Sequence, residues 1–447
     1  MLLCNNLLLI MQKGKPVHFT NVLPGPCCSK VVLKQGCIKV IAEGKCPMKK
    51  ERYRLVILLI ACIAMFSPNY AQYQLSPLAP CLMTDLGISN TEFASIFSAP
   101  MIPAIFLSLG AGILVDRFGA KKVLGIAMLI SSGGLGLRLM ANSYTSLFVS
   151  MVLVGFSALF LNASGPKILG AWYPPSQIGV SLGVFFAVST MAMAIGMGTT
   201  AMLPSVQSAY WLSFIIGLLA LSLWLFFMKS PEQLDDNLHQ TPSQPIRHSL
   251  KVVLNSGPVW IVGLCLMLIM GGNLIISSFL PTALGQRGID PVTAGAISSA
   301  FMLGSLAGCL LTPALASKFR KLKLLLFILG LIAAIFETFA WQAPIGSVLW
   351  LTLFLTGLTL GGMIPLLVSL PIRLPAIGPQ YAGMAGGLTA TLQLLGAVIL
   401  PTRLIVPLAG DSMSFIFLGG GICLFLAGVV ALFLPDFHNR QSLLVRS

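Results

Sequence analysis

The stretch GILVDRFGAKK, residues 112–122, sets four charged side chains between two long apolar runs. The run before it covers roughly 92–115, and the run after it covers roughly 122–141. A helix needs about 20 consecutive apolar residues to cross the hydrocarbon core of a bilayer, and each run has that length. The stretch therefore predicts a short charged loop at a membrane surface that joins two membrane-spanning helices.

The composition of the whole chain leads to the same prediction. Of the 447 residues, 56% are hydrophobic and only 9% are charged, whereas an average soluble domain is about one quarter charged. This balance excludes the soluble, disordered and disulfide-scaffold classes. A membrane β-barrel would alternate apolar and polar residues, but LVILLIACIAMF at 55–66 is apolar at every position. We therefore expect a helical protein that crosses the bilayer many times.

Twelve apolar runs have the length of a spanning helix, and one long polar stretch divides them into six plus six. The runs cover roughly 55–79, 92–115, 122–141, 146–169, 178–202, 209–228, 251–280, 293–316, 322–341, 347–370, 381–406 and 413–434. The predicted organisation is an N-terminal half at 48–228, a cytoplasmic linker at 229–250, a C-terminal half at 251–435 and a cytoplasmic tail at 436–447.

The two halves repeat each other. SKFRKLK at 317–323 matches the loop at 116–122, and each joins the second and third helices of its half. LPAIGPQYAGMAGGL at 374–388 corresponds in the same way to WYPPSQIGVSLGV at 172–184. Two like-oriented repeats imply a pseudo-twofold axis along the membrane normal. The predicted fold class is an all-α membrane protein of twelve transmembrane helices in two pseudo-symmetric six-helix halves.

The distribution of positive charge predicts the orientation. From Met48 onward the chain has 21 Lys and Arg residues. With both termini in the cytoplasm, 18 of these lie inside, and only Arg138, Arg287 and Arg403 lie toward the outside. Because Lys and Arg accumulate in cytoplasmic loops, we expect a multi-pass protein of the cytoplasmic membrane with both termini in the cytoplasm.

Residues 1–47 do not fit this plan. They hold no run long enough to span and no positively charged start of a signal peptide. Met48-Lys-Lys-Glu-Arg, by contrast, places positive charges directly before the first span. We expect translation to begin at Met48, with residues 1–47 a non-native or disordered extension. A genuine cytoplasmic extension is the alternative.

The loop at 112–122 resembles the signature of the major facilitator superfamily, G-x3-D-[RK]-x-G-x-[RK]-[RK]. Every specified position matches, through Gly112, Asp116, Arg117, Gly119, Lys121 and Lys122. The resemblance covers 48–447 and implies a transporter that binds its substrate between the two halves. It also implies that this loop latches the cytoplasmic ends of the halves in one conformation. Physically, Gly119 permits a tight turn, and the three basic residues can bind anionic headgroups.

The resemblance is closer to some branches of the superfamily than to others. Met151 stands about where many members carry an arginine of the fourth helix, and the fifth helix lacks the Gly-Pro pair of drug/proton antiporters. The segments at 172–184 and 373–402 look like the cyanate/nitroimidazole permease-like branch, with nitrate/nitrite and organic-anion carriers as near neighbours. We expect a secondary transporter that moves a small polar solute or anion; an efflux pump for amphipathic drugs is the alternative.

In this fold the first, fourth, seventh and tenth helices line the cavity, and polar groups at mid-depth are the candidate substrate contacts, because polar groups are expensive in hydrocarbon. The candidates are Asn69, Tyr70, Tyr73, Asn162, Asn273 and Gln393, together with Lys167 at the inner end of the fourth helix. For the amides, contacts between helices are the alternative. For the tyrosines the alternative is an aromatic belt, and for Lys167 it is snorkelling to the headgroups.

Two charged residues lie inside predicted spans without belonging to the cavity. Arg138 in the third helix and Glu337 in the ninth occupy nearly equivalent places toward the outer ends. We expect both to be edge residues that reach water or a neighbouring helix. Their expected role is structural.

Other classes of function lack their sequence features. The formal charge of +15 is spread over short clusters between apolar runs, so nucleic-acid binding is not expected. The four histidines lie outside the spans, and neither HExxH, GxSxG nor GxxxxGK[ST] occurs, so an enzyme or an ATP-driven pump is not expected. We predict no metal and no cofactor. The expected partners are a small-molecule substrate, with or without a coupling proton, and the lipid bilayer, around a monomer.

Overall fold

The computed structural model describes residues 30–34, 37–41, 47–228, 251–316, 322–374 and 377–435. The predicted linker at 229–250, the tail at 436–447 and most of the loop copy at 317–323 lie outside the described residues. Their predicted roles stay predictions.

The chain divides after Leu55 into a small N-terminal unit and a large second unit. The small unit contains two antiparallel strands, β1 (Lys30–Lys34) and β2 (Cys37–Ile41), with Lys30 opposite Ile41 and Lys34 opposite Cys37. The sequence analysis did not expect these strands. The start of translation at Met48 stays a prediction.

The first half of the membrane-spanning part, whose first helix begins before the division after Leu55, is built from helices alone. Its α-helices are α1 (Pro47–Tyr73), α2 (Leu75–Leu86), α3 (Asn90–Ser98), α4 (Ile102–Phe118), α5 (Ala120–Arg138), α6 (Tyr144–Trp172), α7 (Pro175–Thr199) and α8 (Val206–Phe227). Short 3₁₀ turns at Ala99–Met101 and Thr200–Met202 join or extend them.

The second half repeats this arrangement. Its α-helices are α9 (Gly257–Gln286), α10 (Pro291–Ala316), α11 (Leu322–Phe339), α12 (Ser347–Val368), α13 (Leu370–Arg373), α14 (Gly378–Ile399), α15 (Val406–Ala409) and α16 (Met413–Ala431). A 3₁₀ turn at Ala340–Gln342 follows α11, and a π-helical segment at Leu400–Ile405 joins α14 to α15.

Within the described residues, twelve helical segments are long and apolar enough to cross a membrane, which confirms the prediction of twelve spans. Their outer faces carry large hydrophobic side chains such as Phe106, Phe226 and Leu408, each about four-fifths exposed. Apolar surface of this extent suits lipid tails rather than water.

Three spans are interrupted, each beside a proline. Proline lacks an N–H and its ring clashes with the carbonyl four residues earlier. The break between α1 and α2 lies at Gln74. Pro77 follows this break, and Tyr73 is the residue four positions before Pro77. Pro100 lies in the 3₁₀ turn between α3 and α4, and Pro401 lies in the π-helical segment. The residues that flank each interruption keep right-handed helical backbone angles, so the chain stays helical through all three.

The closest helix pair in the second half is α10 with α12, and both helices carry a Gly-x-x-x-Gly motif. A Cβ atom on Gly304 would collide with the carbonyl oxygen of Phe354, and one on Gly357 would collide with that of Phe301. Gly308 and Gly361 meet the facing backbone in the same way. Small residues let helix backbones approach closely in lipid, where van der Waals packing drives association.

Candidate functional site

Many contacts between the two halves lie toward one end of the helix bundle, while a contact between Ser108 Oγ and Thr391 Oγ1 at 3.4 Å lies nearer the middle. We call the end where the first span begins and the twelfth ends the terminal side, and the opposite end the distal side. On the distal side, Ser76 Oγ donates a hydrogen bond to the carbonyl oxygen of Ser278 at 3.0 Å. The rings of Phe93 and Phe279 pack edge to face with centroids 5.9 Å apart. These contacts join α2 and α3 of the first half to α9 of the second.

Further contacts extend this distal layer across the interface. Asn90 Nδ2 donates to Asp411 Oδ1 at 3.0 Å, which ties the start of the second span to the loop before α16. α7 and α10 approach closely as well, because a Cβ atom on Gly295 would lie 2.6 Å from the carbonyl oxygen of Met197. Polar, aromatic and backbone contacts therefore close the distal side.

Deeper in the same interface, Tyr73 and Ser277 meet across the halves. The Tyr73 hydroxyl lies within hydrogen-bond reach of the Ser277 side chain. Ser277 Oγ itself donates to the carbonyl oxygen of Asn273 at 2.6 Å and lies 3.5 Å from Asn273 Oδ1. The Tyr73 ring packs edge to face on Phe97 with centroids 5.3 Å apart. Tyr73 and Asn273, two predicted candidates, are thus brought together by Ser277.

Two other candidates make contacts within α1. Asn69 is buried and donates from Nδ2 to the carbonyl oxygen of Met65, one turn earlier on the same helix, at 2.7 Å. Tyr70 is buried and stacks on Phe66 with ring centroids 5.4 Å apart. Since both tyrosines are only 3% exposed, neither Tyr70 nor Tyr73 forms an aromatic belt at the membrane surface.

The remaining candidates lie nearer the middle and the terminal side. Asn162 is exposed on α6, with Nδ2 donating to the carbonyl oxygen of Ala158 at 2.9 Å. Lys167, about one turn further along α6, is half-buried. Gln393 on α14 is half-buried, and its Nε2 lies 3.7 Å from the sulfur of Met270 on α9. Their predicted role as substrate contacts stays a prediction.

The loop at 112–122 is a tight turn between α4 and α5. Gly119 has φ of 83°, a left-handed value that favours glycine, and its N–H donates to the carbonyl oxygen of Val115 at 2.9 Å. Arg117 and Lys122 are exposed. The carbonyl oxygen of Lys121 accepts a hydrogen bond from Trp224 Nε1 at 3.1 Å, which fixes the loop to α8. The surroundings of Gly112 and the side chain of Asp116 lie outside what the structure describes.

Several buried polar residues beside the candidates were missed by the sequence analysis. Gln72 Nε2 donates to the carbonyl oxygen of Phe97 at 2.8 Å, and Gln74 Nε2 donates to that of Ala209 at 3.2 Å. Together with Ser76 they hold the broken first span against its neighbours. The signal was present in SPNYAQYQLS at 67–76, since two glutamines within an apolar span are expensive unless they are hydrogen-bonded.

An open cleft of about 600 Å³ lies just beyond the distal contact layer, and Met83 of α2 and Thr282 of α9 are among the residues that line it. Each lies one to two turns past the hydrogen bond between Ser76 and Ser278. At its rim, hydrogen bonds from the Thr293 side chain and backbone hold the pKa of the exposed Asp290 carboxyl below its ordinary value. The rim therefore carries a negative charge at neutral pH.

Arg138 and Glu337 do not reach water, so that part of the expectation is wrong. Both side chains are 0% exposed. Arg138 does reach a neighbouring helix, because its Nη1 donates to the carbonyl oxygen of Ala71 in α1 at 2.9 Å. Its guanidinium also lies 4.1 Å from the centroid of the Tyr210 ring. Each charged group is enclosed by the helices of its own half.

Among the described residues no group of three His, Cys, Asp or Glu side chains could hold a metal ion. Cys62, Cys81, Cys265, Cys309 and Cys423 are free thiols.

Twelve candidate spans form two repeated halves, which contact each other in the distal layer. Residues 56–401 match the model of the Major Facilitator Superfamily. The chain belongs to this superfamily. It is therefore a transporter rather than an enzyme, and a multi-pass membrane protein.

Curated relatives carry several transporter names. The chain is 33% identical over 184 residues to the hexuronate transporter of Bacillus subtilis (strain 168), a match that spans 40% of this chain and 43% of that protein. It is 25% identical to the cyanate transport protein CynX of Escherichia coli (strain K12), over 72% of this chain and 81% of that protein. It is 24% identical to the probable nitrate/nitrite antiporter NarK1 of Thermus thermophilus, over 79% and 85%.

Solved structures share the fold. A D-xylose-proton symporter superposes with a TM-score of 0.69 at 18% identity, over 86% of this chain and 99% of that chain. The nucleoside transporter NupG superposes with a TM-score of 0.68 at 15% identity, over 87% and 99%.

Proposed function

We propose that this protein is a secondary transporter that moves a small polar solute or anion across the cytoplasmic membrane by alternating access. The observation that carries the proposal is the distal contact layer, in which Tyr73 meets Ser277 across the two halves. A layer made of a few side-chain hydrogen bonds, the Phe93–Phe279 ring contact and close helix approaches can open without unfolding either half. Repeated halves that rock about a central site are the plan of such carriers.

The orientation follows from the positive-inside bias. The 18 Lys and Arg residues on the terminal side, against three on the distal side, favour a terminal side that faces the cytoplasm. Asp85, Asp290 and Asp411 lie in distal loops or helix ends, which suits the outer surface. In this orientation the structure is closed toward the outside, and both termini are cytoplasmic.

The nature of the substrate is inferred from the polar groups near the interface and from the names of relatives. Asn162, Asn273 and Gln393 offer amide N–H donors, and Lys167 offers a positive charge at the cytoplasmic side. Amide donors and an ammonium group suit an anion or a polar solute better than an apolar drug. Relatives named for hexuronate, cyanate and nitrate/nitrite are in keeping with this class. Among these, the cyanate-permease-like branch is the one we favour.

The loop with Asp116 is proposed as the inner latch. The turn at Gly119 brings the end of α4 beside the start of α5, and Trp224 fixes it to α8. A carboxylate at this membrane edge can bind a helix N-terminus or a cation of the other half when the inner side closes. We further propose that the transporter works as a monomer in the lipid bilayer, with a small-molecule substrate and a proton as the coupling ion.

A substrate panel tests the proposal. The purified protein is reconstituted in proteoliposomes, and uptake of radiolabelled nitrate, cyanate, a hexuronate, a neutral hexose and an amphipathic cationic dye is measured with and without a pH gradient. We expect saturable uptake of at least one anion or of the hexose, above that of empty liposomes. Movement of the dye alone would favour the drug-efflux alternative, and no movement of any compound would contradict the proposal.

A matched pair of variants tests the role of Lys167. If Lys167 attracts an anion, Lys167→Gln should raise the KM for the transported anion while the expression level stays unchanged. Lys251→Gln makes the same chemical change at an exposed position before α9 and should behave as the wild type. An unchanged KM for Lys167→Gln would favour the alternative, in which Lys167 extends to the lipid headgroups.

A further inference from the structure

Glu337 lies in a contact between three helices of the second half. It is on α11 and is 0% exposed. Its Oε1 faces the backbone of Gly420 on α16 so closely that a Cβ atom on Gly420 would lie 2.5 Å from Oε1. The same Cβ would lie 3.3 Å from Cγ2 of Ile275 on α9. The carboxyl group thus occupies the space that the missing side chain of Gly420 leaves open.

Neither carboxyl oxygen of Glu337 has a hydrogen-bond partner among the residues that the structure describes. An ionised carboxylate in such surroundings is very expensive, and a group of this kind neutralises instead. The neutral carboxylic acid, by contrast, is small and uncharged enough to pack against glycine and isoleucine. The geometry of the pocket therefore suits the protonated form.

No positive charge faces Glu337 from the described parts of the helices around it. α12 carries no titratable side chain. On α16, the thiol of Cys423 is the titratable group within electrostatic reach of Glu337. On α9, Cys265 bonds the carbonyl oxygen of Ala427 instead. Arg287, at the end of α9, donates to the carbonyl oxygens of Trp341 and Ala343. The proton, rather than an ion pair, is what can neutralise this carboxylate.

A pair of stacked aromatic rings closes the pocket toward the distal side. Trp341 follows Glu337 by four residues, and Phe417 precedes Gly420 by three, so both rings lie about one helical turn distal to the carboxyl group. The ring centroids are 5.3 Å apart and the ring planes are 25° from parallel. Phe417 is buried completely and Trp341 almost so. Water can reach Glu337 from this side only after the two rings separate.

We propose that Glu337 is a proton-binding site inside the second half, occupied in this distally closed conformation and emptied when the Trp341–Phe417 layer opens. A proton from water binds one carboxyl oxygen and returns to water on release, with no covalent step. The site lies behind α9 rather than in the interface between the halves. This proposal rests on the proposed function in one respect, namely that the distal side opens during transport.

The position of Ile275 links this site to the candidate pathway. Ile275 packs at the Glu337 pocket, and it lies between Asn273 and Ser277 on α9, which face the other half. Loss of the proton would place a charge against the back of α9, so α9, α11 and α16 must separate or admit water at that moment. Proton release is thereby coupled to movement of the helix that carries Ser277.

Infrared spectroscopy of the purified protein tests the site without any substrate. At neutral pH the exposed carboxyl groups are ionised, so a protonated carboxylic acid gives a distinct C=O stretching band. We expect this band in the wild type, its loss in Glu337→Gln, and its retention in Glu92→Gln, which changes a glutamate of the exposed α3 capping box. A wild type without the band, or a band that persists in Glu337→Gln, would overturn the proposal.

A second variant pair tests the aromatic layer. Trp341→Ala removes one ring of the stack and should admit water, so that the C=O band at neutral pH is lost or greatly weakened. Trp350→Ala removes a half-exposed tryptophan of α12 and should leave the band intact. An undiminished band in Trp341→Ala would contradict the proposed route of proton release. These spectra need no transported substrate. The Glu337 proposal can therefore fail while the uptake panel supports the proposed function, and the proposed function can fail while the spectra support the Glu337 site.

Discussion

Arg138 and Glu337 occupy corresponding places near the distal ends of the third and ninth spans, and both side chains are completely buried. They differ in the polar contacts that their surroundings provide. The Arg138 guanidinium has the carbonyl oxygen of Ala71 and the face of the Tyr210 ring, whereas the Glu337 carboxyl group faces the bare backbone of Gly420. Arginine stays charged in proteins, while a glutamic acid can gain or lose its proton. The two halves therefore share a fold and differ in electrostatics at equivalent points.

The Tyr210 ring should be important for stability because it compensates a buried positive charge. A desolvated cation–π contact is worth about 2 kcal/mol, so we expect Tyr210→Leu to destabilise the protein by about that amount. Thermal unfolding in detergent measures the effect. The control is Trp211→Leu, which removes the next aromatic ring from a half-exposed position. Equal melting temperatures for the two variants would show that the ring does not compensate Arg138.

The glycine contact between α10 and α12 should not tolerate a methyl group. In Gly357→Ala the new Cβ collides with the carbonyl oxygen of Phe301, so the helices must move apart. Overpacking of this kind costs about 1–3 kcal/mol, and we expect a lower melting temperature and less folded protein in the membrane. Gly386→Ala adds the same methyl group where nothing lies within 4 Å, and it should be neutral or slightly stabilising. A neutral Gly357→Ala would contradict the close approach.

The hydroxyl group of Tyr73 should favour the distally closed conformation. Tyr73→Phe keeps the ring against Phe97 and removes the contact with Ser277. A hydrogen bond is worth about 1 kcal/mol net, so we expect roughly a fivefold larger population of the distally open form. The measurement is the rate at which an impermeant maleimide labels Ser278→Cys, which is buried in the closed form. The protein used for labelling lacks its native cysteines.

Gln286→Cys provides the control for this labelling experiment, because residue 286 lies at the exposed distal end of α9 in the closed form as well. Its labelling rate should be the same with Tyr73 and with Phe at that position. If Tyr73→Phe leaves the rate for Ser278→Cys unchanged, the contact with Ser277 is not part of the closure.

Asp116 should matter more than any single residue of the cavity. Asp116→Asn keeps the size of the side chain and removes the charge proposed for the inner latch, so we expect severe loss of transport with normal membrane expression. The matched control is Asp85→Asn, the same change at an exposed distal position. Near-normal transport by Asp116→Asn would mean that the loop only helps to set the membrane topology.

The sequence predicted the fold well because the bilayer imposes simple rules. The number and length of the spans and the tight turn at Gly119 follow from apolar runs and turn chemistry. It predicted the site less well. Asn69 bonds the backbone of its own helix, whereas Tyr73 lies beside Ser277 of the other half. The apolar pattern of a span does not show which of its polar groups face the partner half. The burial of Glu337 was also missed, because helix order alone does not show that Gly420 leaves room for a carboxyl group.

If the two halves rock apart on the distal side during transport, a covalent link across that side should stop transport. Asn90 and Asp411 are hydrogen-bonded across the halves, so the cysteine pair Asn90→Cys/Asp411→Cys, in protein without native cysteines, can be joined by a short reducible reagent. As a control, Ser143→Cys/Ser146→Cys joins two residues of one capping box within the first half. Uptake of a substrate identified by the panel is then measured in proteoliposomes before and after reduction. We expect the first cross-link to abolish transport, reduction to restore it, and the control cross-link to have no effect. Full transport with the halves cross-linked would show that they need not separate on the distal side.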